Sequence, residues 1–488
     1  MKNFINKLTP TGISIVLCVT TMLIYFLSYM DIENVKYPLL NDMSSYDPYV
    51  QQFDAFMKGQ LHIDLEPEEE LIALENPYNP EERGEVEFLW DRALYNGKYY
   101  SYFGVTPIIT VMFPFYFISG MLPSPLFIQF VYIGIFSVVF PKLLMLLLDR
   151  YGQKVQWGYK VFITYVTYLA SFNLLYGRGN NPFYYIACTS AIAFLTLFTY
   201  LFLKGVFIKE HKKRCIYFLF AGLMFAFCFH SRINTAFMAI FFILPILIFK
   251  IILEKHQWKN KLLELGSLGC FVIIGIVLAF IYNYARFDNV LEFGTTYQLT
   301  VADVSEYQLD IAEFDDALSY YYKSTFISSD EEGRNVLSTF DKESVDRYLY
   351  VEEYYGLYTI PFLMFSLITV FMTFNKKISI GYKVVLISTL LGGYVMAWIN
   401  FCLGGVVFRY LADFSTEVAV CAALGVLFVF DLSYSLKNKN IAKILRLTFV
   451  IILLISLYDI FMIMVVDSYN MFRFRENSII GRIIGNNS

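Results

Sequence analysis

Apolar runs of about 18 residues or more recur along this chain from Thr11 to Val466, and each, coiled as a helix, spans the ~30 Å hydrocarbon layer of a bilayer. In lipid every backbone N–H and C=O must find its partner inside the protein, which leaves helices or closed barrels as spanning structures. Runs of this length choose helices. Only 16% of the 488 residues are charged and 57% are hydrophobic, against roughly a quarter charged in soluble domains. A soluble enzyme is thereby excluded. A single integral membrane domain, all-α, over residues 1–488 is expected in place of the about three soluble domains that the length would allow.

The formal net charge of −4 conceals a sorting of charge along the chain. Residues 31–100 hold 16 acids and 5 bases, and residues 285–354 again hold 16 and 5. Most other bases fall in short clusters: Lys2 and Lys7, Lys142 to Lys160, Lys204 to Arg214, Lys250 to Lys261, Lys376 to Lys383, and Lys437 to Arg446. The positive-inside bias puts these clusters in the cytoplasm and the two acidic segments outside. The run Thr11–Tyr29 follows Lys2 and Lys7 without a small-residue cleavage site, so it reads as an uncleaved first helix with its N-terminus inside.

Alternating crossings from that start works only if Tyr102–Met121, which contains Gly104, Pro107, Pro114 and Gly120, dips into the outer leaflet without crossing. The expected map then has about eleven spans, at 11–29, 124–148, 158–176, 183–204, 215–230, 234–252, 264–284, 355–374, 382–402, 411–431 and 447–466. Residues 31–123 form a first extracytoplasmic loop and 285–354 a second. The tail from Asp467 falls outside, where Arg473, Arg475 and Arg482 run mildly against the charge bias. Asp47-Pro48, followed by Tyr49, Val50, Phe53, Phe56 and Met57, predicts a capped helix ended by Gly59, with an aromatic underside on the membrane surface.

Seven cysteines lie in or beside apolar runs, so no disulfide framework and no Cys/His metal spacing is expected. Arg178, Arg232 and Arg409 each fall at the outer end of a span. Guanidinium groups give paired hydrogen bonds to phosphate and keep their charge when partly dehydrated. Three of them at one face predict an anion site, whereas any one alone would be read as reaching for lipid headgroups. Arg409, Asp413 and Glu417 recur every four residues, which on a continuous helix lines one face toward a polar cavity or lets Arg409 and Asp413 pair. Among the outer carboxylates Asp42, Asp47 and Asp91 stand nearest the membrane and are the candidate general bases; Asp47 is equally well explained as a helix cap.

Several strings resemble one family. An inside N-terminus, one span, a large outer loop with a helix after an early Asp, a Pro-containing segment before the second span, and Tyr176-Gly177-Arg178 after the third are similar to the polyprenyl-phosphate-dependent membrane glycosyltransferases of the C-type fold, particularly the protein O-mannosyltransferase and aminoarabinose-transferase branch. Tyr46-Asp47-Pro48 through Gly59-Gln60-Leu61, Asn76-Pro77-Tyr78-Asn79-Pro80, Gly97 through Gly104, Arg286-Phe287 with Leu291 through Gly294, and Arg409 through Phe414 resemble a bacterial branch of such proteins; the Gly97–Gly104 and Arg409–Phe414 strings are the distinctive ones. The chain has Asp47-Pro48 where the wider family has an Asp-Glu pair, and Phe103-Gly104-Val105-Thr106-Pro107 where it has a basic residue or His before Pro-Pro.

The resemblance implies a multi-pass protein of the bacterial cytoplasmic membrane that moves a sugar, with inversion, from a polyprenyl-phosphate donor to a glycan, lipid or protein acceptor at the outer face. It implies Asp47 as the base and Arg178 as a phosphate ligand. With Arg232 and Arg409, the neighbours Lys98, Tyr102, Asn181 and Asp413 complete the expected substrate-binding set. No cofactor is evident, a divalent cation is left open because no compact carboxylate or His cluster defines one, and nucleic acid is not an expected partner. A transporter or lipid-linked-sugar flippase, a polysaccharide polymerase or ligase, and a non-catalytic scaffold are the rival readings.

Overall fold

A computed structural model describes residues 9–29, 40–43, 45–172, 183–249, 253, 258–305, 314–323, 327–329, 335–337, 350–351 and 356–470. Within them the chain is mostly helical with little sheet, an all-α membrane architecture. The principal helices are α1 (Pro10–Tyr29), α2 (Pro48–Met57), α3 (Pro125–Tyr151), α4 (Trp157–Phe172), α5 (Phe183–Phe207), α6 (His211–Ser231), α7 (Ile233–Met238), α8 (Ile240–Leu247), α9 (Trp258–Phe287), α10 (Phe314–Tyr322), α11 (Ile380–Gly404), α12 (Ser415–Ser435) and α13 (Lys439–Asn470).

Seven helices among the described residues, α3, α5, α6, α9, α11, α12 and α13 as far as Ile463, are long and apolar enough to cross a membrane. Of the other expected spans, 11–29 is the continuous helix Pro10–Tyr29 and 158–176 is helical as far as Phe172, beyond which it leaves the described residues; 234–252 and 355–374 are interrupted. Pro245 lies within α8, and the expected span 355–374 is divided into Pro361–Met364, a 3₁₀ turn at Phe365–Leu367, and Ile368–Met372. The expected span 411–431 starts late, at Ser415, because Phe408–Asp413 is a 3₁₀ turn that Phe414 ends with φ −145° and ψ −16°.

Burial separates a centre from a rim. The apolar window of α5 is 78% buried, whereas those of α9 and α13 are 17% buried and so present apolar side chains outward. Helix α6 packs between α5 and α9. Two glycines make the second of these contacts close: a Cβ on Gly222 would run into the carbonyl oxygen of Leu268, and one on Gly275 would come within 2.7 Å of the Ala226 Cβ. Small residues let helices approach in lipid, where dispersion rather than water exclusion drives association.

The segment 102–121 is helical over residues 106–119, at most about 21 Å of rise, short of the ~30 Å hydrocarbon layer. Thr106 Oγ1 donates to the Phe227 carbonyl at 2.8 Å, pinning the segment to α6. Gly104 lies so close to the end of α6 that a Cβ there would collide with the His230 and Ser231 carbonyl oxygens. The segment finishes at Leu122–Pro123, which pairs antiparallel with Leu40–Asn41. Helix α2 departs from expectation. Pro48, Tyr49, Val50, Gln51, Gln52, Phe53 and Ala55 are all buried, and its rings meet protein: Tyr49 on Phe103 at 5.5 Å, Phe53 on Phe113 at 5.0 Å and on Tyr116 at 5.2 Å. Rings of the segment 102–121 cover its aromatic side.

Residues 60–100 of the first acidic segment and 288–305 of the second form one lobe. A hairpin of Ala93–Tyr95 and Lys98–Tyr100 carries the first, and the strand-like stretch after α9 lies against it. Asp91 N donates to Leu299 O, Leu94 N to Tyr297 O and Leu299 N to Arg92 O, each at 2.9 Å. Asn76 Nδ2 donates to Asp303 Oδ2 at 2.6 Å. Ile63, Leu71, Leu94, Tyr99 and Leu299 make a small apolar core within the lobe, while Glu66 and Glu68 to Glu70 are exposed.

Candidate functional site

Where this lobe meets the helix ends, a cavity of about 670 Å³ opens. Its walls come from Tyr102 to Val105, Tyr184 and Ala187 of α5, the turn His230 to Asn234, the end of α9 with Asn283 and Arg286, Gln298 of the lobe, and Arg409 with Tyr410. Local breaks in helical geometry create it. Arg232 is extended at φ −160° between α6 and α7, and the 3₁₀ turn presents Arg409.

Arg232 binds Asp413 through Nε to Oδ1 at 2.6 Å and Nη2 to Oδ2 at 2.9 Å. Asp413 also accepts from Thr235 Oγ1 at 2.5 Å and Asn400 Nδ2 at 3.0 Å. The expected stripe of Arg409, Asp413 and Glu417 is thus absent. A 3₁₀ turn repeats every three residues, so positions four apart leave a common face, and the break at Phe414 turns the chain again. Asp413 pairs with Arg232, Arg409 lines this cavity, and Glu417 lines a separate one.

Arg409 places its guanidinium carbon 5.1 Å from the Tyr184 ring centre and 5.6 Å from that of Tyr410. Arg286 was counted in sequence with the loop bases, yet it is 5% exposed and lines the same cavity. It donates through Nη1 to Ser101 O at 2.7 Å and through Nη2 to Asn283 Oδ1 at 3.0 Å, and it stacks 3.9 Å over the Tyr282 ring. Its buried Nε finds no hydrogen-bond partner, and no ion pair holds Arg286 among the described residues. A buried unpaired donor costs about 1–3 kcal/mol, which an entering anion would recover. The helix-end criterion that selected Arg232 and Arg409 in sequence would have selected Arg286 too.

Of the ten residues expected in the site, Tyr102, Arg232 and Arg409 line the cavity and Asp413 holds one of them in place. Arg178 and Asn181 lie outside the described residues. Lys98 is exposed at the hairpin turn, and Asp42, also exposed, follows the strand Leu40–Asn41; neither lines the cavity. Asp91 stands directly behind the wall, accepting from Gln298 Nε2 at 2.7 Å and from the Tyr184 hydroxyl. It adopts φ +56°, a left-handed conformation that Asp tolerates better than most residues. Burial raises the Asp91 carboxyl above its ordinary range, opposed by Gln298 and the Arg409 charge.

Asp47 caps α2, accepting from Tyr49 N at 2.8 Å. The amide dipole at the start of α2 favours the ionised carboxylate. Burial does the opposite and pushes it up to about 6, the amides of Tyr49 and Val50 and the Arg92 charge recovering only part. Arg92 threads between the two acids, donating to Gln51 Oε1 at 2.8 Å and Tyr46 O at 2.6 Å. Side chains claim Asp91, whereas the Asp47 carboxylate receives only backbone N–H groups among the described residues; Asp47 is buried and does not itself line the cavity. Among the described residues no group of three or more His, Cys, Asp or Glu is arranged to hold a metal ion. No protein-family model matches the chain, and no curated protein matches it.

Proposed function

We propose that this protein transfers a sugar from a polyprenyl-phosphate donor to an acceptor hydroxyl at the outer face of the bacterial cytoplasmic membrane. The observation that carries this reading is the convergence of Arg232, Arg286 and Arg409 on one cavity beneath the outer lobe. With Arg232 neutralised by Asp413, Arg286 keeps a positive charge on the cavity wall that would receive the lipid phosphate, and Arg409 brings a second guanidinium to the same wall. The leaving phosphate is already anionic, so fixed positive charge rather than proton donation assists its departure. Asp47 takes the acceptor proton as the acceptor oxygen attacks the anomeric carbon from the face opposite the phosphate. The glycosyl–phosphate bond breaks in that step, with inversion. Tyr102 and Tyr184 supply aromatic faces for the sugar ring and the lipid tail.

Extraction of lipid-linked sugars from a deletion strain tests the proposal. Accumulation of one polyprenyl-phosphate sugar, cleared by the wild-type gene and not by Asp47→Asn, is expected. Unchanged lipid-linked sugars would overturn it. A second reading, a transporter or flippase, is favoured by the two cavities that line opposite sides of the Asp413 turn. Purified protein in vesicles would then move the lipid-linked sugar between leaflets without cleaving it.

A further inference from the structure

The cavity on the far side of Asp413, about 290 Å³, has no part in the sugar-transfer reading. It is walled by α3, α5, α8, α11 and α12, mostly with Leu, Val, Ile and Phe side chains. Its two ends differ in chemistry. Arg150 and Tyr151, in the last turn of α3, stand at one end with Tyr382, whose ring stacks on Tyr151 at 4.2 Å. Arg150 lies over the Phe207 ring at 4.2 Å and belongs to a basic cluster that marks the cytoplasmic side.

Thr416 and Glu417, in the first turn of α12, stand at the other end. A Cβ on Gly152, just past α3, would meet the Leu427 side chain. The end of α3 is therefore level with Leu427, which lies about 15 Å along α12 from Glu417. The cavity is thus a deep apolar slot with a carboxyl group at its inner end.

That end lacks partners. Thr416 is 6% exposed, and its hydroxyl finds no hydrogen bond. The Glu417 carboxyl is approached by its own backbone N–H, and no other described residue bonds or pairs with it. An ionisable group kept inside a bilayer normally faces a cavity and waits for a partner. Here the missing partner is a hydrogen-bonding cation, and the apolar walls require it to carry a hydrocarbon chain. An anionic lipid tail would leave the carboxyl against methylene groups, and a bare metal ion would leave the apolar slot unused.

We propose that this slot binds a single-chain amphiphile bearing a protonated amine, with the ammonium on Glu417 and Thr416 and the chain running toward Tyr151 and Tyr382. The site is independent of sugar transfer. The probe is N,N-dimethyldodecylamine, applied below its micellar concentration to the full-length protein in nanodiscs. Glu417 is labelled with dicyclohexylcarbodiimide and quantified by mass spectrometry. The amine should protect wild-type Glu417 from labelling, whereas dodecanol and dodecyl sulfate should not. Glu417→Gln, which keeps the side-chain shape, should weaken amine binding by on the order of 30-fold or more. Equal protection by dodecanol, no protection by the amine, unchanged affinity in Glu417→Gln, or a Glu417 that the carbodiimide never reaches would each overturn the proposal. The labelling arm needs no variant to fold.

Discussion

Replacing Asp413 by leucine should strand the Arg232 charge inside the protein. Asp413 is fully buried and the Arg232 side chain is 18% exposed, so little water can substitute for the lost carboxylate. Breaking a buried pair by removing one partner costs about 3–5 kcal/mol. The Thr235 hydroxyl also loses its acceptor, adding about 1–3 kcal/mol, whereas Asn400 keeps bonds to Asn234 and to Tyr410 O. We expect a total loss of about 4–8 kcal/mol. Arg232→Met alone should also destabilise, because the carboxylate is then stranded. The double variant, with neither charge, should return to within about 2 kcal/mol of wild type, since apolar replacement of a buried pair is often neutral. Reversible unfolding in mixed micelles, followed by tryptophan fluorescence over the four-variant cycle, measures the coupling. A loss below about 1 kcal/mol for Asp413→Leu, or single effects that add within about 0.5 kcal/mol, would refute the assignment of Asp413 as the internal counter-ion of Arg232.

Other outcomes follow from the same geometry. Asp47 has its carboxyl raised from 3.8 to about 6 by burial; as a base it should give an acid limb in transfer rate, activity falling as pH drops through about 6. The same shift means its ionised form opposes folding, so stability from this group is full below 3.8 and lost as pH rises through about 6. Asp47→Asn should abolish that dependence, preserve the cap and lower the rate by ~10²–10⁴-fold; a fully active protein would move the role to Asp91. Arg286→Gln and Arg409→Gln should each raise the concentration of lipid phosphate needed for inhibition by about tenfold or more, and Lys98→Ala should leave it unchanged. Gly104→Ala should destabilise by about 1–3 kcal/mol, because backbone carbonyls rather than a flexible side chain occupy the space. Cysteines at Met121 and Lys209 should label from outside and inside respectively, and labelling of both from one side would overturn the topology.

The membrane class, the apolar helices and the Asp47 cap could be read directly from the chain. Each is written in a local pattern: run length against bilayer thickness, basic clusters between runs, and an Asp-Pro before periodic apolar residues. The convergence of Arg232 and Arg409 was also foreseeable, because both sit at helix ends that the charge pattern assigns to one face. The tertiary structure decided which partner each charge takes. Arg232 and Asp413 are 181 residues apart, and no periodicity records a contact across that separation. The expected stripe of Arg409, Asp413 and Glu417 failed because one 3₁₀ turn and one break at Phe414 redirect three side chains, a choice made by packing against α5 and α11 rather than by spacing. Arg286 and the Asp91–Gln298 bond were hidden for a related reason: both depend on two acidic loops folding onto each other, and loops carry no periodic signal of what they will touch. The pKa of Asp47 shows the same division. The amide dipole that would lower it is visible in the sequence, but the stronger opposing effect is burial, which only the folded chain supplies.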